Sequence, residues 1–241
     1  MPDMSAAFTD LVPEIDRKLY EALGYGARAG LGRRPALIIV DANIAFCGEE
    51  SMPIFEAIKR SRTSCGEYAW KAIPVIGRLA GVARSRGIPV IYTTNAFRDD
   101  LWDAGSWRFK KRMGGPQAAA PALDRGNEIV PAIAPTPTDI VVTKQKPSGF
   151  FGSNLASYLT LLRCDSLVVC GGTTSGCVRA TVLDAFSLNY RVAVAADGCF
   201  DRFQASHQLS LFDMHCRYAD VMPGEEIVQY MQSIEEAFET P

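Results

Sequence analysis

The stretch Leu167–Phe186, LVVCGGTTSGCVRATVLDAF, contains the pattern that decides the fold. A short apolar run ends in two glycines, a polar loop follows, and a helical pattern begins near Val178. Strand, loop and helix in this order form the repeating unit of a parallel α/β sheet. The stretch therefore predicts that Cys177 lies where a buried strand gives way to a helix.

The same alternation continues on both sides of this stretch. Apolar runs bounded by turn residues predict buried parallel strands, and right-handed crossovers place helices on both faces. We therefore predict an α/β fold, a three-layer α/β/α sandwich with a mostly parallel central sheet. The predicted strands are Ala36–Asp41, Ile88–Thr93, Asp139–Lys144, Ser166–Gly171 and Arg191–Ala196. The predicted helices are Glu67–Arg86, Ser153–Arg163, Val178–Leu188, Gln204–Tyr218 and Glu225–Phe238.

The domain organisation follows from length and pattern. A chain of 241 residues most simply makes one large domain, predicted over residues 31–241, with a helical arm over residues 1–30. The helical pattern of the arm runs from Ala6 to Leu23, is interrupted by Pro13, and fits either a cap on the core or a contact with another subunit. Residues 98–137 have a weak pattern, which is typical of a functional or mobile segment.

Composition excludes several function classes. The net charge of −2 gives no electrostatic footprint for nucleic acid or an anionic membrane. No run approaches the ~20 apolar residues of a membrane span, so we expect a cytoplasmic protein. The seven cysteines are scattered without a CxxC pair, which argues against a disulfide framework and a thiolate zinc site. Small molecules and copies of the chain are the expected partners.

Three chemically complementary residues fall at one predicted sheet edge. In an open parallel sheet, ligands bind beyond the carboxyl ends of the strands. Asp41 ends the first predicted strand, Lys144 ends the third, and Cys177 follows the fourth. Each alone has an ordinary explanation: a turn former, a solvated strand end and a small buried apolar residue. Their coincidence at one edge favours a catalytic site.

The chemistry of these residues suits nucleophilic catalysis. The start of a helix and a nearby ammonium such as Lys144 both lower the pKa of a thiol. A carboxylate such as Asp41 can accept the thiol proton and deliver it to a leaving amine. The histidines, His207 and His215, are eight residues apart and follow no strand end, so we predict neither a Cys–His pair nor a histidine metal site.

At these residues the chain resembles the isochorismatase-like cysteine hydrolases, and among them the group of N-carbamoylsarcosine amidases and maleamate amidohydrolases. The resemblance runs from about Arg33 to Tyr230, and its most specific part is the stretch that ends in GCVRAT. Its other motifs are PALIIVDANIAF, RTSCGEYAWKAI, IPVIYTTNAFRD, VVTKQKPSGFFGSNL and FDMHCRYADV. The resemblance implies an isochorismatase-like, Rossmann-like hydrolase fold.

The resemblance also implies roles for individual residues. The family's catalytic triad falls on Asp41, Lys144 and Cys177. A cis peptide before Thr173 is implied, with the backbone N–H groups of Thr173 and Cys177 forming the oxyanion hole. Arg202 is implied to hold a substrate carboxylate together with the hydroxyls of Thr173 and Thr174. The alternative for Arg202 is a surface arginine paired with Asp197 or Asp201.

The implied activity is hydrolysis of a small linear amide or carbamoyl substrate that bears a carboxylate. The segment Thr93–Asp99 lacks the histidine of the related metal-dependent nicotinamidases, so we expect no metal and no cofactor. Hydrolysis of biuret or another ureido compound stays an alternative, as does a catalytically silent metabolite-binding protein. A homo-oligomer, most simply a tetramer, is expected by resemblance. His215 and Cys216 are atypical for the family and leave the substrate open.

Overall fold

Runs of Val and Ile form the strands of a central sheet in the computed structural model, which describes residues 12–110 and 125–234. The six described strands are all parallel and lie in the order β3-β2-β1-β4-β5-β6. They are β1 (Pro35–Val40), β2 (Val90–Asn95), β3 (Ile140–Lys144), β4 (Ser166–Gly172), β5 (Arg191–Phe200) and β6 (Asp220–Met222).

Helices cover both faces of this sheet. The described helices are α1 (Glu14–Ala22), α2 (Ile44–Cys47), α3 (Ile54–Arg60), α4 (Glu67–Ser85), α5 (Ser106–Lys110), α6 (Leu155–Leu161), α7 (Arg179–Ser187), α8 (Gln204–Arg217) and α9 (Gly224–Gln232). Alternate side chains of β1 point to opposite faces, as the pleat of a strand requires. Leu37 and Ile39 join a core with α4 and α9, whereas Ile38 and Val40 join a core with α6, α7 and α8. The predicted three-layer α/β/α sandwich is confirmed.

Three strands differ from the sequence prediction. β5 runs on to Phe200 instead of ending at Ala196, and the short β6 was not predicted because three residues carry too little pattern. β3 is a sheet edge rather than a fully buried strand, since Val141 is 47% exposed. The predicted end of the last helix at Phe238 lies outside the described residues.

The N-terminal arm turns one side toward the domain and one toward solvent. α1 begins after Pro13, and its Tyr20 ring packs edge-on against Phe212 of α8 with centroids 5.0 Å apart. Ile15, Leu19 and Leu23, by contrast, are exposed. Part of the arm therefore caps its own core, and the homo-oligomer stays a prediction.

Residues 126–130, within the segment that the sequence left open, dock beside the end of β1. Ile44 and Ala45 donate backbone hydrogen bonds to the carbonyl oxygens of Glu128 and Gly126. Another backbone bond runs from Val130 N–H to the Ala42 carbonyl oxygen. This part of the segment thus helps to enclose the carboxyl edge of the sheet.

The centre of the sheet is the point where the strand order reverses. β1 lies between β2 and β4. The strands β2 and β3 are added on one side of β1, and the strands β4, β5 and β6 are added on its other side. Gly171 has φ +104°, and a Cβ there would lie 2.1 Å from the Val40 carbonyl oxygen. Only glycine permits this conformation and this close approach of β4 to β1. The switch point therefore brings the residues that follow β1 and β4 together.

Candidate active site

The structure brings Asp41, Lys144 and Cys177 together at the switch point. The Lys144 Nζ donates to Asp41 Oδ2 at 2.7 Å and lies 3.5 Å from Cys177 Sγ. Asp41 and Lys144 have no exposed surface, and Cys177 is 5% exposed. The ammonium therefore bridges the carboxylate and the sulfur in a site from which bulk water is largely excluded.

Asp41 is held by the neighbouring strand. Its φ is +45°, in the left-handed region that Asp tolerates better than most residues, and it turns the chain sharply after β1. Its backbone N–H donates to the Thr93 carbonyl oxygen at 3.1 Å, and the Thr93 hydroxyl donates to Asp41 Oδ1 at 2.7 Å. Thr93 and Lys144 thus occupy one oxygen each of the same carboxylate and fix its orientation.

Lys144 is a buried ammonium with several acceptors around it. Besides Asp41, its Nζ reaches the Lys146 carbonyl oxygen at 3.1 Å and Asn95 Oδ1 at 3.4 Å. Burial lowers the pKa of Lys144, but the charges of Asp41 and Cys177 act upward, and the net pKa lies above its ordinary value. Lys144 is accordingly a permanent cation of this site at neutral pH.

Cys177 lies in a wide turn rather than at the first residue of a helix. Residues Thr174–Val178 form one π-helical turn, and α7 continues from Arg179. The Cys177 carbonyl oxygen accepts from the Thr181 hydroxyl at 2.7 Å. Single π turns inside helices often occur at functional sites. The peptide bond between Gly172 and Thr173 is cis, as the resemblance implied.

The other cysteines differ from Cys177 in their surroundings. All seven are free thiols. Burial raises the pKa of the remaining thiols, to about 12 for Cys65 and Cys164 and about 11 for Cys216, and upward also for Cys47, Cys170 and Cys199. A raised pKa keeps a thiol protonated and a poor nucleophile. Cys177 is the cysteine that the structure places beside a buried ammonium.

The loop that carries Cys177 is tied to β5 and α8. Asp201 accepts from both the backbone N–H and the hydroxyl of Ser175, at 2.9 and 2.7 Å. The Thr174 Oγ1 lies 2.8 Å from His207 Nδ1. Sequence reasoning missed Asp201 and His207 because it looked for triad members and treated His207 as an ordinary helix residue.

Arg202 follows Asp201 just after the end of β5. Its Nη2 donates to the Thr63 carbonyl oxygen, and its guanidinium lies over the Phe46 ring at 5.7 Å from the centroid. Among the described residues, no salt bridge joins Arg202 to Asp197 or Asp201. Its buried Nε has no hydrogen-bond partner within that same part of the chain. The structure therefore gives Arg202 an unsatisfied buried donor rather than a surface ion pair.

Two further polar side chains escaped the sequence prediction, and two atypical residues prove structural. Thr93 and Asn95 end β2 beside Asp41 and Lys144, so the sheet-edge rule applied to β2 would have found them. The His215 Nδ1 lies 3.4 Å from the Val221 backbone nitrogen and accepts from it. Cys216 belongs to the core between the sheet and α8.

Within residues 12–110 and 125–234, no three His, Cys, Asp or Glu side chains are grouped so as to hold a metal ion.

In the same part of the chain, no helix is both long and apolar enough to cross a bilayer.

Comparisons with known proteins agree on one family. The isochorismatase domain profile matches residues 35–226. The N-carbamoylsarcosine amidase of Arthrobacter sp is 32% identical over 237 residues, covering 95% of this chain and 83% of the relative. The maleamate amidohydrolase of Pseudomonas putida is 28% identical, covering 87% and 92%. A crystal structure of a cysteine hydrolase from Pseudomonas syringae pv. phaseolicola superposes with a TM-score of 0.73 at 24% identity, covering 83% of this chain and 93% of that one.

Proposed function

The chain belongs to the isochorismatase family, and on that basis we propose that it is a cysteine amidohydrolase. Its proposed substrate is a small linear amide or carbamoyl compound that bears a carboxylate, of the N-carbamoylsarcosine or maleamate type. The proposed reaction releases ammonia through a thioester intermediate on Cys177.

One observation carries this proposal: the ammonium of Lys144 contacts both the carboxylate of Asp41 and the sulfur of Cys177 inside a buried site. Two charges at such distances interact strongly when water is excluded, so the ammonium stabilises a thiolate as well as the carboxylate. A structural ion pair would need no sulfur within reach. The arrangement therefore supports a nucleophile, a proton carrier and a fixed cation acting together.

In the proposed first half-reaction the Cys177 thiolate attacks the amide or carbamoyl carbon. The backbone N–H groups of Thr173 and Cys177 would hold the developing oxyanion. Collapse of the tetrahedral intermediate breaks the carbon–nitrogen bond, and Asp41 gives the departing nitrogen the proton that it took from the thiol. Ammonia leaves and the acyl group stays on sulfur.

In the second half-reaction water replaces ammonia. The Asp41 carboxylate, held by Thr93 and Lys144, removes a proton from a water molecule that attacks the thioester carbon. The carbon–sulfur bond breaks and the sulfur leaves as a thiolate, which regains the proton that Asp41 took from water. An amide substrate gives a carboxylic acid, and a carbamoyl substrate gives a carbamic acid that loses carbon dioxide. Because the same oxygens act in both halves, the fixed orientation of Asp41 serves each step.

Arg202 supports an anionic substrate. The Nε of Arg202 is a buried donor without a partner among the described residues, which costs about 1 to 3 kcal/mol and marks the guanidinium as incompletely satisfied by the protein. A guanidinium also binds a carboxylate through two parallel hydrogen bonds. The relatives named for N-carbamoylsarcosine and maleamate both act on substrates with such a group, which agrees with this reading.

An ammonia-release screen tests the proposal. Purified protein is assayed with maleamate, N-carbamoylsarcosine, other N-carbamoyl amino acids, biuret and nicotinamide, each with and without exhaustive EDTA treatment. We expect turnover of a carboxylate-bearing amide and no loss on chelation. Activity on biuret alone would favour the ureido alternative, and a loss that zinc or iron restores would contradict metal independence.

Alkylation separates an enzyme from a catalytically silent binding protein. A thiolate reacts with iodoacetamide far faster than a thiol, so we expect Cys177 to be modified before the other cysteines near pH 7. Peptide mapping by mass spectrometry gives the order of modification. Equal rates at all sites, together with no turnover in the screen, would support the silent protein instead.

A further inference from the structure

The contact between His207 and Thr174 is not used by the proposed reaction. Thr174 is completely buried, and its Oγ1 lies 2.8 Å from His207 Nδ1. His207 extends from the first turn of α8, and Thr174 begins the π turn that carries Cys177. The imidazole is therefore joined directly to the loop that presents the nucleophile.

This hydrogen bond has two chemically different forms. A threonine hydroxyl has one proton, and a histidine Nδ1 either carries a hydrogen or offers a lone pair. When Nδ1 carries no hydrogen, the Thr174 hydroxyl donates its proton to Nδ1. The Thr174 oxygen can then act only as an acceptor toward other groups. When Nδ1 carries a hydrogen, the imidazole donates and the Thr174 proton is released for another acceptor. Only the second form suits an anion beside Thr174.

We propose that His207 is a positioning residue that sets the donor direction of the Thr174 hydroxyl, and that an anionic substrate selects the form in which Nδ1 carries the hydrogen. This inference rests on the proposed function, because it assigns the anionic end of the substrate to Thr174. It adds a linkage: binding of the anion and protonation of His207 strengthen one another.

The surroundings of His207 allow such a change. Its ring borders a cavity of about 290 Å³ whose polar lining includes Tyr68, Lys71, Asp197, Asp201 and Gln204. Burial lowers the pKa of His207 below its ordinary value, although Asp201 acts upward. From α7, Arg179 is paired with Asp213 further along α8. The imidazole is thus neutral at pH 7, and both hydrogen positions are available to it.

Nuclear magnetic resonance can read the hydrogen position directly. The chain has two histidines, so long-range ¹H–¹⁵N spectra of the full-length protein contain two imidazoles, which the variant His215→Asn assigns. The probe is maleate, the dianion that hydrolysis of maleamate would give. We expect maleate to move His207 toward the form with hydrogen on Nδ1 and to raise its pKa. His215, which accepts from the Val221 backbone, should not respond.

Kinetics with matched variants test the same idea. His207→Leu removes the partner of Thr174, and we expect the KM for maleamate to rise about tenfold while kcat stays nearly unchanged, since one hydrogen bond to a charged group is weakened. The KM for biuret, a neutral amide, should stay the same.

His207→Asn keeps a polar group near the Nδ1 position but cannot titrate, so KM at pH 7 should be restored. We expect the wild-type KM to fall on acidification through the His207 pKa, and this fall should be lost in His207→Asn. His215→Asn is the control.

The outcomes separate this inference from the proposed function. Maleate binding by calorimetry without any change at His207 overturns the inference and leaves the proposed function standing. The same holds if His207→Leu lowers kcat for charged and neutral amides alike, which is the result of a merely structural role. Absence of both maleamate turnover and maleate binding overturns the two together.

Discussion

The carboxyl edge of the sheet has two halves that differ in how completely their polar groups are satisfied. Around β1, β2 and β3, Thr93 and Lys144 each donate to the Asp41 carboxylate at 2.7 Å, and none of the three residues has exposed surface. After β5, Arg202 keeps an unpartnered buried Nε among the described residues, and His207 is only partly buried. In the first half, these polar groups are satisfied by hydrogen bonds within the protein. The second half has donor capacity left over.

This difference indicates that the two halves of the edge have different functions. Catalytic groups accelerate a reaction most when they need no rearrangement, which a mutually bonded set provides. Recognition needs groups whose hydrogen-bonding capacity the ligand completes. We therefore assign the chemistry to the half at β1–β3 with Cys177, and the choice of substrate to the half after β5.

The largest effect should come from the nucleophile. Cys177→Ala removes the sulfur and should lower kcat by about a thousandfold or more, because the proposed thioester forms on that sulfur. The midpoint of thermal unfolding should change little, since the substitution is small. Cys164→Ala, a half-buried cysteine of another region, is the control and should keep full activity. Substantial residual turnover in Cys177→Ala would mean that the nucleophile is misassigned.

The next effect tests how tightly the first half is coupled. Lys144→Met leaves the Asp41 carboxylate buried without its cation and should lower the free energy of unfolding by about 3 to 5 kcal/mol. Denaturant unfolding measures it, and Lys59→Met, which breaks an exposed pair with Glu56, should cost less than about 1 kcal/mol.

The double variant Asp41→Asn with Lys144→Met sharpens this test. Removing both charges takes away the unpaired buried carboxylate, so stability should partly return while activity stays absent. Equal losses of unfolding free energy in the single and double variants would show that the two charges do not stabilise each other. The polar groups of the first half would then not be satisfied by one another.

The second half should affect substrate choice rather than chemistry. Arg202→Met is expected to lower kcat/KM for maleamate by roughly thirty- to a thousandfold, equivalent to ~2 to 4 kcal/mol, and to spare biuret. Arg202→Lys keeps the charge but loses the planar pair of donors, so its loss should be intermediate. Similar losses for charged and neutral amides would remove Arg202 from the recognition half.

The smallest effect is a pH dependence of stability. Burial lowers the pKa of both His207 and His215, so below about pH 6.5 the unfolded chain binds protons more readily than the folded one. Stability should therefore fall as pH drops from about 6.5 to the folded pKa values, and level off below them. Denaturant titrations at several pH values should show a shallower fall in His207→Asn. Maleate should reduce this pH dependence of stability in the wild type but not in His207→Asn.

The first half could be predicted from the sequence, whereas most of the second half could not. Asp41, Lys144 and Cys177 each follow a strongly apolar run, and the position of strand ends in a parallel sheet then places them together. The burial of β1 and β4 made those ends easy to locate, since Val and Ile runs between turn residues are strong signals.

Asp201 and His207 carry no comparable local signal. β5 continues four residues beyond its predicted end, through Asp197 and Gly198, which are poor strand residues. Their strand conformation depends on pairing with β4, a tertiary effect. The contact of His207 with Thr174 depends on how α8 packs against the π turn, which residue spacing does not encode. Arg202 was located by resemblance, but its contact with the Thr63 carbonyl oxygen joins residues 139 positions apart and depends on the tertiary fold.

The pairing of β1 with β4 has a consequence for how the protein folds. The two strands are hydrogen-bonded neighbours from Pro35 opposite Ser166 to Val40 opposite Gly171, yet β2, β3 and the helices between them intervene in sequence. Contacts between such distant segments form slowly, because closing the long intervening loop costs entropy before the contacts stabilise the fold. A growing polypeptide contains Asp41 and Lys144 well before Cys177 is made. We therefore expect that regain of thiol reactivity during refolding follows closure of the β1–β4 seam and appears later than helix formation.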